Sequence, residues 1–184
     1  MLATHPEVYE KLQNEVDKTM EENDGKLTYE AIMNMKYLDM TISETLRIYP
    51  PASVVDRVCT QNYVLEANPP AEIFPGECIY IPIFGLHRDP RHFPEPEKFD
   101  PERFSDENRH NINPYTYLPF GVGPRSCIGN RFALLEAKSV LVYLLSKFRV
   151  QTVDKTPETI KIIQKGFNLS IEGGFWMGLQ ERNQ

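Results

Sequence analysis

The chain has 184 residues, 41% hydrophobic and 25% charged, the composition of a folded globular protein rather than a disordered or collagen-like one. Its 26 acidic side chains outnumber 20 basic ones, and the net charge of −6 opposes general affinity for nucleic-acid phosphates. The three cysteines, Cys59, Cys78 and Cys127, are odd in number and widely spaced, so neither a disulfide framework nor a paired CxxC zinc clip is expected, and a reducing compartment is.

Along the chain, Val8, Leu12 and Val16 form an i, i+4, i+8 stripe that predicts an amphipathic helix over 5–20, ended by Asn23, Asp24 and Gly25. Thr28 predicts the start of a short second helix. A third spans 35–48 and is closed by Tyr49, Pro50 and Pro51, since proline cannot continue it. From 53 to 82 the runs VVDRVC, YVLE and CIYIPIF, separated by Asn-Pro-Pro and Pro-Gly, predict a small sheet. Residues 85–118 are too rich in proline and charge for a strand or a long helix and read as an ordered meander. Helical periodicity returns over 130–148, and 166–180 reads as a hairpin turning at Glu172, Gly173 and Gly174. The longest apolar run, 140–145, is far short of the roughly 20 residues a membrane-spanning helix needs. The class is mainly α with small β-sheets (α+β). The meander exceeds what a compact domain tolerates without regular structure, so a cofactor or further protein should fill space beside it.

The stretch FGVGPRSCIG, residues 120–129, concentrates the chemistry. A lone cysteine is most often a buried small hydrophobe. Here Gly121, Gly123 and Gly129 let the backbone approach something flat, Pro124 stiffens the turn, and Arg125 and Arg131 bring positive charge. A helix beginning after Gly129 adds its positive end, and this setting favours a thiolate. A nucleophilic Cys127 would need a histidine base, and His5, His87, His92 and His110 carry no signature pairing one with it. Zinc would need three or four ligands, of which only His87 and His92 lie close together. A haem iron needs one thiolate, a glycine-rich approach and cations for the propionates, all offered within ten residues.

These residues match the haem-loop pattern Phe-x-x-Gly-x-Arg-x-Cys-x-Gly of the cytochrome P450 monooxygenases at Phe120, Gly123, Arg125, Cys127 and Gly129. Two more marks follow the family's order: Glu44-Thr-Leu-Arg47 resembles its Glu-x-x-Arg, and Pro101-Glu-Arg103-Phe104 resembles the meander element. A Glu-x-x-Arg alone is weak, because i, i+3 charge pairs are common on helix surfaces. The resemblance covers the whole chain and is nearest the microsomal, drug- and toxin-metabolising clan. It implies the C-terminal part of a single P450 domain.

The resemblance further implies haem b (iron protoporphyrin IX) bound through the Cys127 thiolate, which pushes electron density onto iron so that the O–O bond of O2 breaks. Phe120 would lie on the proximal side, Arg125 and Arg57 would meet the propionates, and Ala133 would leave room for the porphyrin. Glu44, Arg47 and Arg103 would form a buried network. Ala52, Ser53, Val54 and Val55, with Phe167 and Asn168 at a hairpin tip, would meet a hydrophobic small-molecule substrate. NADPH-cytochrome P450 reductase, and cytochrome b5 beside it, would dock near Arg109, Arg125, Arg131 and Lys138 and supply NADPH-derived electrons. No nucleic-acid partner is expected. The complete protein would sit on the cytosolic face of the endoplasmic reticulum membrane through an N-terminal anchor that this chain lacks, as it lacks most distal helices. A fragment, or a truncated non-catalytic product that binds haem or a partner, are the two expectations for 184 residues.

Overall fold

The computed structural model describes residues 1–157, 160–165 and 168–182. Three helices build the main core. Helix α1 (Pro6–Glu22) turns Tyr9, Leu12 and Val16 inward, α3 (Lys36–Ile48) contributes Leu38 and Ile42, and α5 (Asn130–Lys147) contributes Val142 and Leu145. The stripes are those of helices buried on one side, the spacing that the sequence shows in α1. A second cluster of Val8, Ile48 and Phe99 joins α1 and α3 to the meander.

Local chemistry sets the helix starts. In α2 (Tyr29–Asn34), Thr28 Oγ1 accepts the Ala31 N–H at 3.1 Å, a side-chain cap. Helix α3 begins after Met35, which has no side-chain acceptor. The carboxylate of Glu15, on α1, takes that role: its two oxygens accept the Tyr37 and Leu38 N–H groups, each at 2.8 Å. A negative charge at a helix's positive end is favourable, so α1 both packs on α3 and caps it.

The predicted small sheet over 53–82 is two separate antiparallel ribbons. β1 (Val55–Val58) pairs with β4 (Cys78–Ile81), and β2 (Tyr63–Leu65) pairs with β3 (Ala71–Ile73). The inner ladder stops after bonds between Cys59 and Glu77 and between Gly76 and Cys59, and the polar 60–62 segment starts a new ribbon. The meander holds α4 (Ile83–Leu86) and single 3-10 turns at Pro101–Phe104 and Arg109–Asn111.

The hairpin read at 166–180 is different in the structure. β6 (Ile162–Lys165) pairs with β7 (Asn168–Ile171), whereas β8 (Gly178–Glu181) pairs with β5 (Phe148–Gln151). Gly173 and Gly174, at φ +75° and +77°, turn the chain away from β7 instead of folding it back. The β-branched run at 162–163 supplies the partner that the sequence reading sought after the glycines. Gly178 suits the β5 pairing, because a Cβ there would stand 2.9 Å from Val153 Cγ1. Arg182 then ties the chain's end to α1 through two 2.7 Å bonds to Asp17.

Candidate functional site

The loop carrying Cys127 leaves the meander at Leu118 and enters α5 at Asn130. Gly121 and Gly123 have φ of +73° and +78°, conformations that side chains disfavour, and Gly123–Arg125 forms one 3-10 turn. The turn closes on itself: the Cys127 N–H donates to the Phe120 carbonyl at 2.8 Å, and the Gly121 N–H to that of Leu118 at 3.2 Å. This bond brings Cys127 back beside Phe120, where the thiol is exposed, two residues before the cap position Gly129.

Around it the surface is apolar and cationic together. Val122, Ile128 and Phe132 are exposed, as are Arg125 and Arg131, while Phe120 is half-buried. A Cβ built on Gly123 or Gly129 meets nothing within 4 Å, so the glycines border open space. Ala133, one turn into α5, is exposed toward solvent. Arg57 lies on exposed β1, where its guanidinium donates to the Asp56 carbonyl at 2.6 Å. No hydrogen bond or ion pair among the described residues joins it to the Cys127 loop.

Behind the loop lies a buried charge cluster. Glu44 and Arg47 on α3 are both fully buried. The carboxylate takes two bonds from Arg47, 2.7 Å from Nε and 2.8 Å from Nη2, and a third from the Asp100 N–H at 2.9 Å. Arg47 also donates to the His87 and Lys98 carbonyls, at 2.8 and 3.2 Å. Arg103 Nε stands 3.5 Å from the same carboxylate without hydrogen-bond alignment, and its Nη2 donates to the Glu95 carbonyl at 2.9 Å. The three charges are therefore one cluster, with Arg103 held by the meander and contributing through charge proximity. Buried charges persist when paired and hydrogen-bonded in this way.

His87 has a role that sequence reasoning missed. It is fully buried, stacked on Tyr117 with centroids 5.4 Å apart, and both ring nitrogens contact backbone groups. Burial pushes its pKa down to about 4. It is thus unavailable as a base for Cys127 or as a zinc partner of His92. Among the described residues, no group of three or more His, Cys, Asp or Glu could hold a metal ion. Lys138 likewise departs from expectation: it is buried, and its ammonium pairs with Asp39 at 2.7 Å, which removes it from any docking surface.

Of the two segments expected to meet substrate, two residues of the first line a cavity, and Leu169, next to the expected Asn168, lines it with them. Ser53 and Val54 line a cavity of about 480 Å³ with Phe84 from α4, Ile162 from β6 and Leu169 from β7. Ala52 and Val55 flank them, half-buried. Asn168 starts β7, paired with Lys165 across the hairpin; Phe167 lies outside the described residues.

A family model described as Cytochrome P450 matches residues 1–176. The chain belongs to the cytochrome P450 family. It is 60% identical over 99% of its length to cytochrome P450 9e2 of Blattella germanica, 48% identical to probable cytochrome P450 9f2 of Drosophila melanogaster, and 46% identical over 90% of its length to cytochrome P450 3A13 of Mus musculus. It spans 34%, 36% and 32% of these P450s, about a third of each. Family membership implies a haem cofactor and fits the α+β architecture of helices with small antiparallel sheets. No helix among the described residues is long and apolar enough to cross a membrane.

Proposed function

We propose that this sequence is the C-terminal, haem-carrying part of a haem-thiolate monooxygenase and that Cys127 is the iron ligand. The observation that supports this most is the loop itself: a thiol exposed where the Phe120 carbonyl holds its backbone, bordered by glycines that leave space open and by apolar and cationic side chains. That donor set fits a large flat apolar disc with anionic edge groups better than it fits a small ion, which would need more ligands. Arg125 would meet one propionate, a carboxylate that a guanidinium fork suits well, and Arg57 another. Phe120 and Ala133 would border the ring, with Gly123 and Gly129 leaving it room.

When bound, haem with a thiolate ligand supplies the activation of O2 for insertion of one oxygen atom into a substrate. The chain's own residues hold and shape the site. The Phe120 carbonyl fixes the Cys127 amide, and α5 begins three residues after the cysteine, so its positive end lies near in sequence to a thiolate ligand. The Glu44–Arg47–Arg103 cluster holds α3 against the meander behind them. Val54, Phe84, Ile162 and Leu169 give the cavity an apolar side, with Ser53 beside it, which suits a hydrophobic small molecule, a class that includes xenobiotics. Arg125 on the loop and Arg131 at the start of α5, exposed together with Arg109 of the meander, suit an acidic electron donor, the role of NADPH-cytochrome P450 reductase with cytochrome b5 beside it. The site of action would be the cytosolic face of the endoplasmic reticulum membrane.

The test is Cys127→Ala in the full-length protein. The reduced, carbon-monoxide-bound Soret band at the thiolate position is expected in the parent and lost in the variant; its persistence would sink the ligand assignment. A second reading has one observation behind it. Helix α5 carries apolar residues beyond its buried side, and Phe132, Val140 and Tyr143 stand exposed on it beside Arg131 and Glu136, a pattern of a helix with apolar surface left to cover. Purified 1–184 alone is expected to turn over no substrate, acting at most as a haem- or partner-binding fragment; NADPH-dependent hydroxylation with added reductase would overturn that.

A further inference from the structure

We propose that His87 is a positioning residue that locks the Cys127 loop to helix α3, by accepting the hydrogen of the Leu118 amide while donating to the Arg47 carbonyl. The inference rests on the reading of Cys127 as the iron ligand. His87 lies just after α4, 31 residues from the amide it holds. Leu118 N–H points at Nε2 from 2.8 Å, so Nε2 must be the bare nitrogen and the ring proton sits on Nδ1. Nδ1 lies 3.1 Å from the Arg47 carbonyl, which it can then serve as donor. Arg47 answers with its own guanidinium on the His87 carbonyl at 2.8 Å. Each residue thus holds the other's main chain.

The hold continues into the loop. Tyr117, stacked on the imidazole, donates its hydroxyl to the Ser43 carbonyl of α3 at 2.9 Å. The Leu118 peptide is bonded on both sides, its N–H to His87 and its C=O to the Gly121 N–H. Two residues on, the Phe120 carbonyl takes the Cys127 amide. A continuous series of bonds therefore runs from Glu44 and Arg47 through His87 to the backbone of Cys127. Only the neutral imidazole can serve. A protonated ring would set a second N–H against that of Leu118, in a buried position faced by Arg47 from α3, by Arg88 next in sequence and by Tyr117 from the loop's approach.

The experiment compares the haem-loaded full-length parent, His87→Leu and His87→Gln. It reads the thiolate-ligated fraction in the reduced carbonyl spectrum from pH 8 to pH 4, and deuterium uptake over 117–129 in the haem-free chains. Glutamine carries one acceptor and one donor on a neutral side chain and can replace both bonds. His87→Leu is expected to speed exchange at 117–121 by about tenfold, the worth of one buried hydrogen bond, and to lower the thiolate fraction at neutral pH. His87→Gln is expected to restore most of both and to keep the thiolate signature to lower pH than the parent. A leucine variant with parental exchange and parental thiolate fraction overturns the proposal. A glutamine variant as impaired as leucine, or one whose acid loss matches the parent's, also overturns it. If the parent itself lacks the thiolate signature, the reading of Cys127 fails instead, and the exchange data still decide the His87–Leu118 contact.

Discussion

Replacing Glu44 by glutamine keeps the side chain's size and removes one charge from the most enclosed ion pair among the described residues. Glu44 and Arg47 have no solvent-exposed side-chain surface, so the guanidinium left behind could not be rehydrated without opening the packing between α3 and the meander. At an effective dielectric of about 20, a pair separated by about 4 Å is worth about 4 kcal/mol. That agrees with the roughly 3–5 kcal/mol that follows removal of one partner from buried pairs generally. Arg47 would keep its bonds to the His87 and Lys98 carbonyls, which satisfy hydrogens but supply no full negative charge. The expected loss is therefore about 3–5 kcal/mol, a large fraction of the roughly 5–15 kcal/mol that holds a typical domain folded. Urea denaturation of the parent and Glu44→Gln in the full-length chain would show it as a lower midpoint at unchanged slope. A loss under about 1 kcal/mol would refute the view that charge, rather than hydrogen-bond count, holds α3 to the meander. The double variant Glu44→Leu/Arg47→Met strands only the partly exposed Arg103 and is expected to recover part of the stability, since the His87 and Lys98 carbonyls and the Asp100 N–H also lose their partners.

Two further outcomes follow from the same structure. Because burial depresses His87 from an ordinary 6.5 to about 4, the unfolded chain takes a proton first, and stability present above pH 6.5 falls as pH drops toward 4, by about 3 kcal/mol in all. Denaturation measured at several pH values in the parent and in His87→Gln checks this, and the glutamine variant should lose that part of the slope. Glu15→Ala should cost about 1–2 kcal/mol and speed amide exchange at Tyr37 and Leu38, since it removes the only side-chain acceptor found for the start of α3 among the described residues. Unchanged exchange at those two amides would show that water caps α3 equally well.

What the residues disclosed depended on how far apart the interacting groups lie in sequence. The stripe of Val8, Leu12 and Val16 repeats within three turns and reads directly as α1, and Thr28 caps a helix that starts at the next residue. Glu44 and Arg47, three apart on one helix, are visible as a pair, yet that spacing alone does not distinguish a surface pair from a buried one. Their burial depends on Asp100, Lys98 and Arg103, more than 50 residues away, and only the meander motif hinted at that contact. Glu15 capping α3 from α1 leaves no local signal, because the acceptor and the amides belong to different helices. The C-terminal turn was misread for a related reason: two glycines announce a reversal without naming the strand that the chain will meet next, and β8 finds β5 about 30 residues back.

His87 shows why a histidine's chemistry cannot be assigned from its neighbours in sequence. In HRDPRH its spacing from His92 offers only a weak ligand pair, and no signature pairs it with Cys127 as a base. The fold instead spends both ring nitrogens on backbone partners 40 residues upstream and 31 downstream. A side chain with one donor and one acceptor, buried among aromatic rings, joins two distant stretches of main chain in a fixed register. The same property ties it to the loop's position. Cys127 itself is exposed on a turn rich in glycine, which contributes little stiffness of its own. Stiffness has to come from the residues before the turn, and Tyr117 and Leu118 are both bound to partners on or anchored to α3. The glycines thus border open space, while the buried pair and His87 set where that space lies.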